Sequence, residues 1–465
     1  MQSSSNRAIS TTDFDMTTPK EHTTTSISDL DKLGKERPHA FSGLWPELAF
    51  CFSIVMSQIL AEFYISGSNV LLLTLVKELD VPAASTIWLT AAISLAITST
   101  LLIFGRLIDM YGGYVIYNAG AIWLIISSIL CGVSQTWLML VVCRALQGLA
   151  LGALLPSGMM ILGSAYRPGP RKNLVFSIYG ACATLGFFAG FFVAGICGQY
   201  LTWRWYFFIG TILSVMMASS SLFYIPRDYA EKRELGIRMD WCGFCLSISG
   251  ATLFVFAIAD SSYARRVGKL RIFRMSAFMG ATSLQIVAWT VPMAVGGLIL
   301  SVTGGFILHK VSGTVLMIIS CLGYVGSGLL FTIIPLGGNY WAFVFPAMIC
   351  GTIAIDISFN LANIFITTSV PKAKQGLAGA LIYCTMHMGI AVMLGLPDIV
   401  ETQTKWLDKW KSYKAVFGLQ TGLCVLGLLI VLGFVRIRHA KSELTADEKE
   451  QLERGNLTTG HPETV

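Results

Sequence analysis

Between residues 48 and 435 the chain alternates long apolar runs with short polar connections. About 20 apolar residues in a helix cross the hydrocarbon core of a bilayer. Runs of that kind lie near 48–75, 86–105, 114–133, 137–161, 173–200, 206–225, 241–260, 280–308, 313–335, 340–368, 376–397 and 414–435. They predict an all-α, polytopic membrane protein with about 12 transmembrane helices. Residues 1–44 and 438–465 hold no such run. They read as polar, disordered tails.

Composition agrees. Hydrophobic residues make up 54% and charged residues 13%, against about 25% charged in soluble domains. So few charges cannot cover a soluble surface. The net charge of +7 does not call for nucleic acid, because the basic residues sit in short connections and act as topology signals. Arg167, Arg171, Lys172, Arg227, Lys232, Arg233, Arg238, Lys372, Lys374, Arg436, Arg438 and Lys441 all fall in connections on one side of an even-numbered arrangement. The positive-inside rule makes that side, and both tails, cytoplasmic. The sequon at Asn456 then stays unglycosylated. One segment breaks the pattern: 261–275 carries Arg265, Arg266, Lys269, Arg271 and Arg274 on the opposite side. The 398–413 connection, with Lys405, Lys409 and Lys411, is a milder exception. The cysteines lie in or beside apolar runs, and the Cys242/Cys245 pair has no second pair. They read as free thiols, with no metal site and no cofactor. No phosphate-binding glycine loop for ATP is present, nor a histidine box or exposed nucleophile of an enzyme.

Polar residues inside spans carry the functional signal, because a charge at mid-membrane costs roughly 2.5–3.5 kcal/mol and must face protein or water. In the first span Gln58, Glu62, Ser66 and Asn69 form one helical stripe; in the tenth, Asp356, Asn360, Asn363 and Thr367 repeat the spacing. Arg144 and Gln147 share a face of the fourth span, and Tyr383 and His387 a face of the eleventh. Two readings stay open: a polar cavity lined by Glu62, Arg144, Gln147, Asp356, Asn360 and His387, or static bonds between helices. Glycines at 186, 190 and 195 in the fifth span let another backbone approach closely. That fits close packing and leaves room for a role at a moving interface.

Several motifs resemble the major facilitator superfamily. Gly105-Arg106-Leu107-Ile108-Asp109-Met110-Tyr111-Gly112 resembles its gating-loop signature G-x-L-x-D-x-x-G, although Gly113-Tyr114-Val115 stand where basic residues usually follow. Arg144-Ala145-Leu146-Gln147-Gly148 resembles R-x-x-Q-G. Gly186 to Gly195 resembles an antiporter motif, with Phe191 in place of its proline and Ala194 in place of its first paired glycine. Leu201 to Phe207, Asp356-Ile357-Ser358-Phe359 and Val370-Pro371-Lys372-Ala373-Lys374-Gln375-Gly376 resemble segments of the fungal fourteen-span drug:proton antiporters of the aminotriazole-resistance type.

The resemblance implies two helical bundles that rock about a central site. It gives an N-terminal bundle over 45–226, a linker over 227–279 with one extra helix and a basic loop, and a C-terminal bundle of about five helices over 280–437. Measured against that branch, the chain is shortened by about two spans, which accounts for the misplaced basic loop. A proton-coupled exporter of a small amphipathic or aromatic compound is expected, monomeric and in the plasma or vacuolar membrane. Protons would bind at Glu62 or Asp356, and Arg144 would pair with the bare carboxylate. Proton-coupled nutrient uptake and a non-transporting remnant or sensor are the alternatives.

Overall fold

In a computed structural model of the protein, the described residues are 34–38, 41–82, 85–86, 88–228, 291–300, 310–335, 339–404, 409–437 and 445–450, with a few single positions besides. The run at 241–260, most of that at 280–308, the basic segment 261–275, the Cys242/Cys245 pair, the Asn456 sequon and most of both tails lie outside them.

Eleven helices carry the described part. They are α1 (Leu44–Glu78), α2 (Trp88–Tyr111), α3 (Gly113–Gly132), α4 (Trp137–Ala165), α5 (Pro170–Tyr200), α6 (Arg204–Tyr224), α7 (Val291–Leu300), α8 (Gly313–Ile333), α9 (Phe345–Ser369), α10 (Gln375–Gln403) and α11 (Lys409–Phe434). Among the described residues, nine helices are long and apolar enough to cross a membrane.

Local chemistry sets several ends. The Thr136 hydroxyl accepts the Met139 amide at the start of α4, and Ser312 accepts Val315 at the start of α8; such caps satisfy amides that the first turn leaves over. Pro170 opens α5, where its missing N–H costs nothing. A π-helical turn, Tyr340–Val344, leads into α9. Arg204 donates to the Gly132 and Ser134 carbonyls at 3.0 and 2.6 Å and lies over the Trp203 ring. It thereby ties the end of α3 to the start of α6, through the segment 201–207.

Several boundaries differ from the sequence reading: α10 continues to Gln403 and α11 begins at Lys409, so most of the expected 398–413 connection is helical. The stretch 105–111 was expected to follow the second span, yet α2 continues through Tyr111. Gly105 stays helical because it packs against α10: a Cβ there would stand 2.5 Å from that of Ala380. The helix stops at Gly112, whose φ of 90° favours glycine.

Helices α1 to α6 form one group. Within it α1 lies along α5, α2 along α4, and α3 against α4 and α6. In the second group α8 packs on α9 and α11, and α10 on both of these. Where the groups meet, α10 lies against α2 and α4, and α9 against α5. The connections after α2, α4 and α9 share one end of the molecule with the start of α1 and the end of α11. We call it the tail end.

Gly186 and Gly190 of α5 pack against α1 within the first group. A Cβ on Gly186 would sit 2.5 Å from the Ile59 carbonyl, and Gly190 abuts the Phe63 carbonyl and Ser66 of α1; Gly195 is buried.

Candidate functional site

Arg144 is 1% exposed. Its guanidinium donates to the Tyr64 carbonyl at 3.0 Å, the Ser68 hydroxyl at 2.6 Å and the Gln147 side-chain oxygen at 3.4 Å. Gln147 in turn donates to Ser128 at 2.9 Å. The sequence suggested a carboxylate partner for Arg144. Its bonds go instead to neutral oxygens of α1 and α4, and its Nε finds none. The reason is register: the hydroxyl of Ser68 and the carbonyl of Tyr64 come within reach of α4 on the face of α1 that turns into the first group. The arginine therefore ties α1 to α4.

Glu62 is half-buried on α1. One turn away, Gln58 is buried and accepts the Tyr383 hydroxyl of α10 at 2.9 Å. The Tyr179 hydroxyl of α5 lies 2.6 Å from that of Tyr383. Since Tyr383 spends its one proton on Gln58, Tyr179 is the donor to Tyr383. The Phe359 ring of α9 stacks on Tyr179 at 6.5 Å and meets Tyr383 edgewise at 6.2 Å. Four helices from both groups thus build an aromatic cluster, with Glu62 close enough to interact electrostatically with both tyrosines. His387 is buried one turn beyond Tyr383, and its Nδ1 lies 2.9 Å from the Tyr383 carbonyl of its own helix.

Asp356 is 3% exposed on α9. Oδ1 accepts Thr184 of α5 at 3.1 Å, and Oδ2 is buried without a partner. Gly297 of α7 lies over this carboxyl, where a Cβ would come within 3.1 Å of Oδ2. Asn360, one turn on, presses its amide against Gly180 of α5, so a larger residue at 180 would turn that amide aside. The Asp356 stripe is thus a seam between α9 and α5, whereas Glu62 belongs to the α1 side.

At the tail end, buried Asp109 accepts the amides of Gly376 and Leu377 on the first turn of α10. Lys172, also buried, donates to the Gly163 carbonyl of its own group and the Thr367 carbonyl of the other, both at 3.1 Å. Arg106 is half-buried beside this contact. Asp228, which follows α6, accepts the amides of Gly113 at 2.7 Å and Tyr114 at 3.1 Å, while Arg227 lies over the Tyr114 ring at 5.7 Å. Two of the three residues that replace the usual basic run, Gly113 and Tyr114, are therefore held through their backbone. Glu47 gathers Arg171, Arg37 and Tyr166 nearby; burial pushes the Tyr166 phenol up, which keeps it a donor.

Sequence reasoning missed Asp228, Thr184, Tyr179 and the bridging role of Lys172. A helix start at Gly113 needs a capping acid, but nothing in the sequence says that it comes 115 residues later. Among the described residues no cluster of metal-binding side chains occurs.

Comparison with known proteins decides the family. The description for the Major Facilitator Superfamily matches residues 54–396. The chain belongs to that superfamily. The efflux pump terJ of Aspergillus terreus is 27% identical, over 90% of this chain and 92% of its own. The aminotriazole resistance protein of Saccharomyces cerevisiae is 25% identical, over 89% of each. The solved structure of the proton:xylose symporter XylE covers 87% of this chain and 98% of its own at a TM-score of 0.65 and 14% identity, a likeness of fold. The protein is therefore a secondary transporter with relatives of the kind that its motifs indicated. Asp109 and the first turn of α10 make one contact between its bundles, and the aromatic cluster lies at their meeting face. The two alignments run over 485 and 483 residues, more than the 465 of this chain, so these relatives carry residues that it lacks.

Proposed function

We propose that this transporter exports small amphipathic or aromatic compounds in exchange for protons. One observation carries the reading. Two carboxyls, Glu62 on the first group and Asp356 on the second, flank an aromatic cluster where the groups meet, above a closed tail end. Tyr179, Phe359 and Tyr383 offer flat apolar faces with polar edges, which suit a planar amphipathic ligand. A carboxyl between rocking bundles takes a proton from one side and releases it to the other as access alternates. Arg144 holds α1 in register for that motion. The names of the relatives, an efflux pump and a resistance protein, support the outward direction.

The driving force is adequate. A 100 mV potential supplies about 2.3 kcal/mol per charge, and each pH unit about 1.4 kcal/mol. The tail end, with its basic connections, faces the cytoplasm under this proposal, and the plasma membrane is the expected site of a monomer. The boundaries near 227, 280 and 438 divide the chain into two bundles, linker and tail.

A strain lacking the gene should gain sensitivity to a subset of planar toxicants. Vesicles holding the protein should then move any hit against its gradient when the outer face is acidified. Accumulation inside the cell under the same gradient would instead support uptake. Sequencing the transcript checks the length: a message encoding these 465 residues without interruption shows that the shortened form is made.

A further inference from the structure

Eight buried side-chain atoms among the described residues lack a hydrogen-bond partner, and six of them belong to α9, to α5 packed against it and to the first turn of α10. They are Asp356 Oδ2, Asn360 Oδ1, both polar atoms of the Asn363 amide, Ser177 Oγ and Gln375 Oε1. Each residue is at most 5% exposed. An orphaned buried polar group is costly, and a run of them points to something that bonds to all.

Geometry says what fits. Asp356, Asn360, Asn363 and Thr367 occupy one face of α9, so they rise about 16 Å along it in steps of about 4.5–6 Å. One water bonded to two heavy atoms bridges about 4.5 Å, with a limit of about 5.6 Å. Ser177 lies one turn before Gly180 on α5, and Gly180 meets the amide of Asn360. The set includes Gln375, whose NH2 is used by the Thr367 and Val370 carbonyls while its oxygen stays unpartnered. Gln375, Thr367 and Lys172 line a tail-end cavity of about 620 Å³.

We propose that the α5/α9 seam holds a single file of water that carries protons between Asp356 and the tail-end cavity. Water offers both donors and acceptors, as the mixed set demands: the Asn363 NH2 needs an acceptor, and the Asp356, Asn360 and Gln375 oxygens need donors. A bare metal cation suits the set poorly, because the Asn363 NH2 offers it no lone pair. The titratable neighbours are few. Asp356 is faced by Thr184 and Gly297, with Tyr324 of α8 in electrostatic range, and Lys172 has Lys372 near it. The file gives a proton on Asp356 a route to the tail-end cavity once the carboxyl is closed off from the opposite side.

This rests on Asp356 as a proton-binding group, and the test separates the two ideas. The full chain in lipid nanodiscs is examined by infrared hydrogen–deuterium exchange of the Asp356 carboxyl, identified by the band lost in Asp356→Asn. X-ray hydroxyl-radical footprinting reports on water at the seam. Wild type should exchange within the mixing time and label at α5 and α9. Asn363→Leu should slow exchange about tenfold or more by filling the file, and Asn363→Ser should restore it. Should the leucine variant fail to elute as a single species, Ser177→Val is the second block. Equal exchange in wild type and either blocked variant, or no footprint in the seam, overturns the proposal. Exchange that slows with sodium but not with potassium assigns the seam to a cation and also overturns it. A wet seam in a protein that moves no protons removes the coupling reading alone. A dry seam with intact proton-driven transport removes this route alone.

Discussion

The carboxylate of Asp109 on α2 lies 2.8 Å from the amide of Gly376 on α10. It also takes the next amide, Leu377, at 3.0 Å, so a negative charge sits on the positive end of a long helix in the opposite bundle. The approach is possible because residue 376 has no side chain: a Cβ there would stand 2.6 Å from Asp109 Oδ1 and 2.7 Å from the Gly105 carbonyl. Asp109→Asn and Gly376→Ala should both favour separation of the tail ends. Charged helix-end contacts are worth about 1–2 kcal/mol, enough for roughly a five- to thirty-fold change in population. Electron–electron distance measurements between spin labels at exposed positions 111 and 374 should show a longer mean distance in both variants.

Asp228 performs the matching task on α3, inside one bundle. Its two acceptors hold the first amides of a helix that has no side-chain cap of its own. Asp228→Ala should lower stability by about 1 kcal/mol, read as a drop of a few degrees in the melting temperature of the purified protein. Gly112→Ala should be worse, since its φ of 90° and the nearby Asp228 carboxylate both oppose a Cβ.

Arg144 separates geometry from charge. Its planar fork reaches a carbonyl, a hydroxyl and an amide oxygen at once, which the single ammonium of lysine cannot imitate. Arg144→Lys should therefore reduce transport about tenfold or more although the charge is kept. Activity near that of wild type would show that charge alone suffices there.

The C-terminal tail reports pH at the closed end. Glu448 caps its own short helix with Thr445 and pairs with Arg167 at 2.7 and 2.9 Å, while Asp447 accepts the Lys372 amide of the other bundle at 3.3 Å. Burial raises the Glu448 carboxyl, but the Thr445 amide and the Arg167 guanidinium outweigh it and hold it below its ordinary 4.5. A lowered carboxylate stabilises the folded form above 4.5, and this is lost as pH falls through the depressed value. The pair is partly exposed, so the contribution is modest. The protection factors of the amides over 445–450, with the intrinsic pH dependence of exchange divided out, should fall below about pH 4.5, and fall less in Glu448→Gln.

The described helices were legible because insertion in lipid demands long apolar stretches whatever the tertiary contacts. Thus 137–161 and 313–335 became Trp137–Ala165 and Gly313–Ile333. The stripes containing Gln58 and Asp356 were legible too, since helical spacing puts them on one face. Which neighbour each stripe would meet was not. Arg144 turned to Ser68 instead of a carboxylate, and Asp356 found Thr184, because helix rotation is set by packing across many residues and not by the span itself. The continuation of α2 past residue 105 was hidden for a similar reason: Gly105 looks like a helix breaker until Ala380 is placed against it.

Proton exchange at Asp356 is the heart of the account, and Asp356→Asn tests it most directly. In proteoliposomes, with a compound drawn from the sensitivity screen, the variant should still exchange labelled for unlabelled compound across the membrane. It should fail to drive accumulation when a pH gradient is imposed. Uphill, gradient-driven transport by Asp356→Asn at the wild-type level would contradict the account.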